Sequence, residues 1–344
     1  MKYNVTIQET LARTVLVEAG SLLDAESTAR KLYRNGNIVL CADDYIDTIY
    51  RIGRPEPYYK AANNDFTLIQ GDCVDTLSKF KFGFDMVFAD PPYFLSSGGI
   101  SYQSGKIVCV DKGEWDKPTS PAEMDAFNLR WLTACRDHMK DNATIWISGT
   151  HHNIFSVQQQ LIKLGFKILN VITWAKTNPP PNISCRYFTH STEFIIWARK
   201  SLKVAHYFNY ELMKKLNGDK QMSDVWHLPA IAKWEKSCGK HPTQKPLSVL
   251  VRLIQASTKP NAWILDPFSG SATTGIAANL LGRRFLGLEI EDEFLAMGRA
   301  RREELENLSL RDNYLKRLTK NGYMHLDDTF CVSEDDADYN VPWL

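Results

Sequence analysis

Several common signals are missing from this chain of 344 residues. No run of about 18 apolar residues occurs, so a membrane-spanning helix is not expected. No Cys-x-x-Cys pair occurs either. The seven cysteines stand singly at 41, 73, 109, 135, 185, 238 and 331, which argues against a structural zinc site and suits a reducing compartment. No export leader opens the sequence. Met1-Lys2-Tyr3-Asn4-Val5 alternates like a strand at once, so the expectation is a cytoplasmic protein with no membrane partner. Gly-x-Gly-x-x-Gly and the Gly-Lys-Ser/Thr ending of a phosphate loop are both missing, which argues against a dinucleotide or the phosphates of ATP. No cluster of Asp and His residues points to a metal.

What is present is ordinary in bulk and uneven in detail. Apolar residues make up 44% and charged residues 24%, enough for one large core with a small second domain. The net charge of +1 conceals a basic block. Residues 176–252 hold thirteen Lys/Arg against five Asp/Glu, whereas 327–338 hold six acids and no base. A basic block in a near-neutral chain points to a polyanion, with a solvated face as the plainer alternative.

Two stretches carry chemistry. The apolar run Asp85–Ala89 reads as a buried parallel strand and closes on Asp90-Pro91-Pro92-Tyr93. A carboxylate, a proline carbonyl and an aromatic ring at a strand end suit a flat amine, since oxygen accepts both N–H bonds and the ring stacks. The second stretch, Leu265-Asp266-Pro267-Phe268-Ser269-Gly270-Ser271-Ala272-Thr273-Thr274-Gly275, follows strand Ala262–Leu265 and opens into a helix. Its small residues admit close backbone approach to a ligand. About twenty residues on, Glu289 ends the next strand, where a carboxylate can accept both hydroxyls of a ribose. A ribose-bearing cofactor without phosphates follows, and S-adenosylmethionine is the common one.

Around these stretches the pattern is α/β. Strands are expected at Phe66–Gln70, Asp85–Ala89, Thr144–Ser148, Lys167–Trp174, Glu193–Ala198, Ala262–Leu265 and Arg284–Glu289, with helices near 121–138, 153–164, 246–257 and 273–281. That alternation predicts an open, mostly parallel seven-stranded sheet with helices on both faces. Residues 1–54 read as a small α+β domain: strands at Tyr3–Gln8, Thr14–Glu18 and Tyr45–Arg51, and a helix Leu22–Tyr33 capped by Ser21 and stopped by Asn35-Gly36. A linker is expected over 55–63, the main domain over 64–310, and an acidic tail over 311–344.

The pairing of Asp-Pro-Pro-Tyr with Asp-Pro-Phe-x-Gly resembles the amino-methyltransferases of DNA, in their Rossmann-like fold. Aspartate in first place resembles adenine-N6 enzymes more than cytosine-N4 enzymes. The order, with the motif at 90 ahead of the loop at 268, resembles the beta class. Gly71-Asp72, Gly113-Glu114-Trp115-Asp116-Lys117 and His241-Pro242-Thr243-Gln244-Lys245-Pro246 match further motifs of that class. Lys176–Pro179, Ser184–Glu193 and Gln221–Trp226 most resemble the adenine methyltransferases of Dpn-type restriction systems, which modify GATC and accept single-stranded as well as double-stranded DNA. The N-terminal unit resembles DpnD/PcfM-like domains.

The resemblance implies roles. Asp90, Pro91, Pro92 and Tyr93 would hold the target amine. Asp72, Cys73, Asp266, Phe268, Gly270, Ser271, Ala272, Thr273 and Glu289 would form the S-adenosylmethionine site, with His241, Thr243 and Lys245 near the cofactor carboxylate. His241 as a structural histidine and Lys245 as a surface lysine remain the alternatives. Residues 176–240 would recognise the target, with Lys176, Asn178, Asn182, Arg186 and Tyr187 on DNA; Trp226 and Trp234 read as core. The family usually carries Gly where this chain has Ala272. Expected partners are DNA, with a homodimer and a cognate restriction endonuclease left open. Cytosine-N4 methylation and a DNA-binding module with a decayed site are the competing functions.

Overall fold

The computed structural model describes residues 5–52, 56–94, 99–103, 106–110, 120–179, 181, 182, 185–239 and 241–325. The Gly113–Lys117 motif, Pro55 of the linker and the acidic run at 327–338 lie outside them. Contacts divide the chain into two units, Met1–Glu56 and Pro57–Leu344.

In the small unit, β1 (Val5–Leu11) pairs antiparallel with β2 (Tyr45–Ile52). Helix α1 (Leu22–Arg34) lies between them in sequence. Ser21 caps it by accepting from the Asp24 N–H at 3.2 Å, and Asn35 with Gly36 at φ 75° ends it. Thr14–Glu18 is not a strand. Its alternation finds no partner ladder: the Ala12 N–H bonds the Asp44 carbonyl, Arg13 pairs with the Asp44 carboxylate at 2.7 Å, and Leu16 is fully exposed.

The large unit is built on a nine-stranded sheet. Its strands are β3 (Tyr59–Lys60), β4 (Phe66–Gln70), β5 (Phe84–Ala89), β8 (Met139–Gly149), β9 (Lys167–Lys176), β10 (Thr192–Arg199), β11 (Val225–Leu228), β12 (Trp263–Asp266) and β13 (Arg284–Glu289). A separate hairpin joins β6 (Gly99–Gln103) to β7 (Lys106–Val110). Across the sheet the order is β11-β9-β10-β8-β5-β12-β13-β4-β3. All pairings are parallel except those of β10 with its two neighbours and of β3 with β4. Two strands exceed the expected seven. Both are short edges, two and four residues long, too brief for a periodic signal.

Helices cover both faces, and side chains alternate between them. Met86 and Phe88 of β5, with Ile264 and Phe285, join the core under α6 (Leu247–Ser257), α7 (Thr273–Leu280), α8 (Asp292–Glu304) and α9 (Leu308–Lys320). Val87 and Ala89, with Leu265, Leu286 and Leu288, join the core under α2 (Cys73–Leu77), α3 (Pro121–Asp137) and α4 (Ile154–Lys163). A short α5 (Tyr210–Leu216) packs on α6. Trp146 and Trp197 stack with ring centroids 4.6 Å apart, and the Trp146 indole N–H donates to Ser257 Oγ at 2.9 Å. The expected tail begins too early at 311. Tyr314, Leu318 and Met324 are buried in the first core, because α9 carries a sparse apolar stripe within a highly charged sequence. No helix among the described residues is long and apolar enough to cross a membrane.

Close packing predicts one sensitive position. A Cβ on Gly275 would lie 2.4 Å from Phe285 Cδ1 and 2.5 Å from Phe66 Cε2, where two rings meet the helix. Gly275→Ala is expected to lower the unfolding free energy by about 1–3 kcal/mol, measured by urea denaturation.

Candidate active site

The strands β5, β12, β13 and β4 are consecutive and parallel, so their carboxyl ends open on one side of the sheet. Each delivers a piece of the site: Asp90–Tyr93 after β5, the Pro267–Ala272 loop after β12, Glu289 at the end of β13, and Gly71-Asp72 after β4. Together they wall a cavity of about 430 Å³. Its lining includes Asp72, Cys73, Asp90, Pro91, Pro92, Tyr93, His241, Thr243, Phe268, Gly270 and Glu289. Phe127, Leu288, Ile290, Glu291 and Phe294 complete the walls and were not anticipated. Phe294 sits in the first turn of α8, five residues beyond Glu289, where helical spacing could have placed it.

Backbone bonds hold this floor. The Gly71 N–H donates to the Glu289 carbonyl, and the Ser269 N–H donates to the Leu288 carbonyl, each at 2.9 Å. The Glu289 carboxylate accepts from the Gly270 N–H at 2.8 Å and from the N–H groups of Ile290 and Glu291 at 2.8 and 3.0 Å. Burial pushes its pKa up, and those three bonds oppose the rise. Gly270 has φ 48°, and a Cβ there would meet His241 Nε2 at 2.8 Å, so glycine is required by conformation and by space. Asp72 caps α2 through the Val74 and Asp75 N–H groups. Burial pushes the Cys73 thiol up to about 12, which leaves it inert at neutral pH.

Four residues expected at the cofactor, Asp266, Ser271, Ala272 and Thr273, do not line the cavity. Asp266 accepts from the Phe268 N–H at 3.0 Å and from the Thr274 hydroxyl. Arg301 of α8, buried, donates to the Ser271 carbonyl at 2.7 Å, to Ser271 Oγ at 3.1 Å and to Thr273 Oγ1 at 2.8 Å. Ala272 adopts φ 57°, ψ 33°, is fully buried, and supplies no capping side chain to α7. This is the left-handed conformation that favours glycine, so the departure from the family's residue carries strain.

Lys245 also differs from expectation. It is not a cavity wall; its ammonium lies 2.6 Å from Asp90 Oδ2, 3.0 Å from the Tyr93 hydroxyl and 3.7 Å from Glu193 Oε2. The Tyr93 hydroxyl donates to Asp90 Oδ1 at 2.6 Å and lies 3.2 Å from Ser148 Oγ. Burial raises the Asp90 pKa, against the pull of Lys245 and the Tyr93 hydroxyl. Burial also works to lower the Lys245 pKa, and Asp90, Tyr93 and Glu193 more than reverse it. His241 is pushed down to about 4 by burial and by the neighbouring Lys245 and Arg301 charges, so it is neutral at pH 7. Just beyond Tyr93, Phe94 sits at φ 58°, a strained conformation for a bulky residue.

The residues expected on DNA are scattered in role. Lys176 pairs with Glu193 across β9 and β10. Asn178 accepts from the Ala230 N–H at 2.9 Å, and the Asn182 amide donates to the Tyr187 carbonyl. Arg186 and Tyr187 are exposed, beside Phe188 at 96% exposure. Trp226 is buried and Trp234 partly so.

The cavity fits the expected cofactor chemically. Its walls carry Asp72, Asp90, Glu289 and Glu291 but no Lys or Arg among the described residues, so phosphates are disfavoured and a cationic nucleoside is suited. Fold and site together define a Rossmann-like methyltransferase. The N6/N4-type DNA methylase model matches residues 84–299, and the DpnD/PcfM-like model matches residues 3–48. The chain is 54% identical over 268 residues to the type II methyltransferase M2.MboI of Moraxella bovis, covering 78% of this chain and 98% of that one. It is 56% identical over 250 residues to M2.DpnII of Streptococcus pneumoniae, covering 72% and 92%. Among solved structures, the M1.HpyAVI–SAM complex is similar with TM-score 0.54 and 26% identity, covering 69% of this chain and 98% of that one. The cytosine-N4-specific PvuII DNA methyltransferase shares the fold with TM-score 0.58 and 17% identity, covering 71% and 88%. The chain belongs to the N6/N4 DNA methylase family. It is a DNA methyltransferase, and S-adenosylmethionine is its cofactor.

Burial raises the Asp266 carboxyl from 3.8 to about 7, although Thr274 and the Phe268 N–H pull it down. Between those values the folded state keeps a proton that the unfolded state has released, so this group's contribution falls as pH rises. His241, at about 4 against 6.5, works in the opposite sense. Comparison with Asp266→Asn isolates the first group. The parent's stability advantage over the variant should shrink by on the order of a few kcal/mol from pH 4 to pH 7. Urea denaturation at stepped pH measures it, and a pH-independent difference would contradict it.

Proposed function

We propose that this protein methylates adenine N6 within GATC, in a restriction-modification setting. The observation that carries the reading is Asp90-Pro91-Pro92-Tyr93 opening on the same cavity as Glu289 and Gly270. The relatives at 54% and 56% identity support the setting. A cytoplasmic location, a homodimer and a cognate endonuclease for the same site belong to the same reading. Cytosine-N4 methylation has weaker support, since the PvuII enzyme shares only the fold at 17% identity.

Phe268, Gly270 and Glu289 would hold the nucleoside of S-adenosylmethionine, with Asp72 nearby and Thr243 and His241 on the remaining wall. The bound cofactor supplies an electrophilic methyl group. A base stacked in a duplex cannot reach this cavity, so the adenine is flipped out, at a cost of a few kcal/mol. Tyr93 recovers part of that by aromatic contact with the base, worth roughly 1–3 kcal/mol. The adenine amino group is a poor nucleophile because its lone pair is delocalised into the ring. Asp90 and the Pro91 carbonyl accept its two N–H bonds and favour a pyramidal nitrogen, and fixed orientation supplies much of the acceleration. Asp90 need not take a proton before attack, since the methylated amine loses one afterwards. Exposed Arg186 would read a base edge, while Asn178 and Asn182, bonded to backbone here, would have to exchange those bonds for base contacts.

Asp90→Ala is expected to lose most turnover while keeping cofactor affinity. Wild-type turnover in tritiated methyl transfer would remove the proposed chemistry. Glu289→Ala is expected to weaken S-adenosylmethionine binding by about 1.5–3 kcal/mol for each charge-assisted bond lost, read by calorimetry. Plasmid exposed to the enzyme should resist a nuclease blocked by GATC adenine methylation, and N6-methyladenine should be the product nucleoside. Full cleavage alongside methyl incorporation would assign another target sequence.

A further inference from the structure

Lys245 belongs to a chain of alternating charges that reaches from β9 to the catalytic loop. Lys176 Nζ pairs with Glu193 Oε1; Glu193 Oε2 lies 3.7 Å from Lys245 Nζ; Lys245 Nζ lies 2.6 Å from Asp90 Oδ2. The side chains are largely withdrawn from solvent, with relative exposures of 20%, 13%, 9% and 14% in that order. Two ammonium and two carboxylate groups balance, as such withdrawal demands. Four elements contribute: the end of β9, the start of β10, the segment ahead of α6, and the loop after β5. Lys176 follows Ala175, which faces Thr192 in the β9–β10 ladder, and this register brings Lys176 and Glu193 to the same end of the sheet.

We infer that Lys245 and Glu193 are positioning residues for methyl transfer, Lys245 fixing the orientation and charge of Asp90 and Glu193 moderating that hold. This rests on Asp90 as the acceptor of the target amine. It replaces the expectation that Lys245 grips the cofactor carboxylate. With Oδ1 bonded to the Tyr93 hydroxyl and Oδ2 to Lys245, the carboxylate plane is set before substrate arrives. An Asp90 that lost its ammonium partner would be driven toward the neutral acid by burial, and a carboxyl that donates its own proton is a poorer acceptor for an amine. Glu193 opposes Lys245: its negative charge raises the Asp90 pKa. Among the described residues, the ionisable groups facing this four-residue cluster are Tyr93 on the loop itself, Asp266 from β12, and His241 beside Lys245.

The two residues therefore give opposite signatures. In Lys245→Met the acid limb of the kcat–pH profile should move to higher pH, by about one to three units, the usual span when a carboxylate loses an adjacent cation. In Glu193→Gln the limb should move to lower pH. Lys245→Arg, which keeps the charge, should restore most of the profile. The ionisation of Asp90 in the protein alone, followed by carbon-13 NMR of labelled aspartate, should shift in the same two directions. S-adenosylmethionine affinity by calorimetry without DNA should stay within about threefold of the parent in all three variants, under 1 kcal/mol. Loss of cofactor affinity in Lys245→Met with an unmoved limb would overturn the inference in favour of a cofactor grip. If Lys245→Met does not fold, Glu193→Gln decides alone: an unmoved or upward limb overturns the inference. An inactive Asp90→Ala beside an unmoved limb removes only this inference, whereas an active Asp90→Ala removes its premise.

Discussion

The central strands β5, β12, β13 and β4 are buried on both faces, and an uncompensated charge inside such a layer costs several kcal/mol. Ionisable groups are therefore displaced to the strand ends, where loop backbone and incoming ligands can meet them. Asp266 ends β12, Glu289 ends β13, Asp90 follows β5 and Asp72 follows β4 after a single glycine. Parallel pairing sets all four ends side by side, and this is why a ligand cavity forms at that edge. The same withdrawal from water raises the pKa of Asp90, Asp266 and Glu289.

Each raised carboxylate is compensated differently. Glu289 has three backbone N–H groups, Asp266 a hydroxyl and an N–H, and Asp90 a tyrosine hydroxyl and an ammonium. The choice follows function. Bonds to backbone shape the loop proposed to hold the nucleoside, and Asp266, which does not line the cavity, is met by the Thr274 hydroxyl and the Phe268 N–H. The ammonium at Asp90 keeps charge available at the group assigned to the target amine. Arg301 plays the matching part for the loop itself, spanning Ser271 and Thr273 across the left-handed Ala272. A residue without a suitable backbone preference is thus held by three bonds from a neighbouring helix.

Much of this was legible in the order of residues. The seven main strands announce themselves as short apolar runs, and both signatures were placed correctly at strand ends. The elements that escaped include short ones with little local signal, namely β3 and β11 at the edges, the β6–β7 hairpin, α2 and α5, and also the longer but highly charged α8 and α9. Thr14–Glu18 shows the converse, since alternation without a partner ladder leaves a loop. Ser148 and Glu193 were missed as site residues for another reason. Both lie on strands of the sheet, far from Asp90 in sequence, and only folding brings them to it.

The sequence by itself determined the chemistry available: a carboxylate between an apolar strand and two prolines, a small-residue loop, and an acid at the next strand end. Those are local facts, fixed by spacing and residue type. Tertiary structure alone decided which charge meets which. Lys245 and Asp90 are separated by 155 positions, and Arg301 reaches Ser271 across 30. Electrostatic pairing depends on distance through space and on the water excluded around it, and neither is written in the order of the chain.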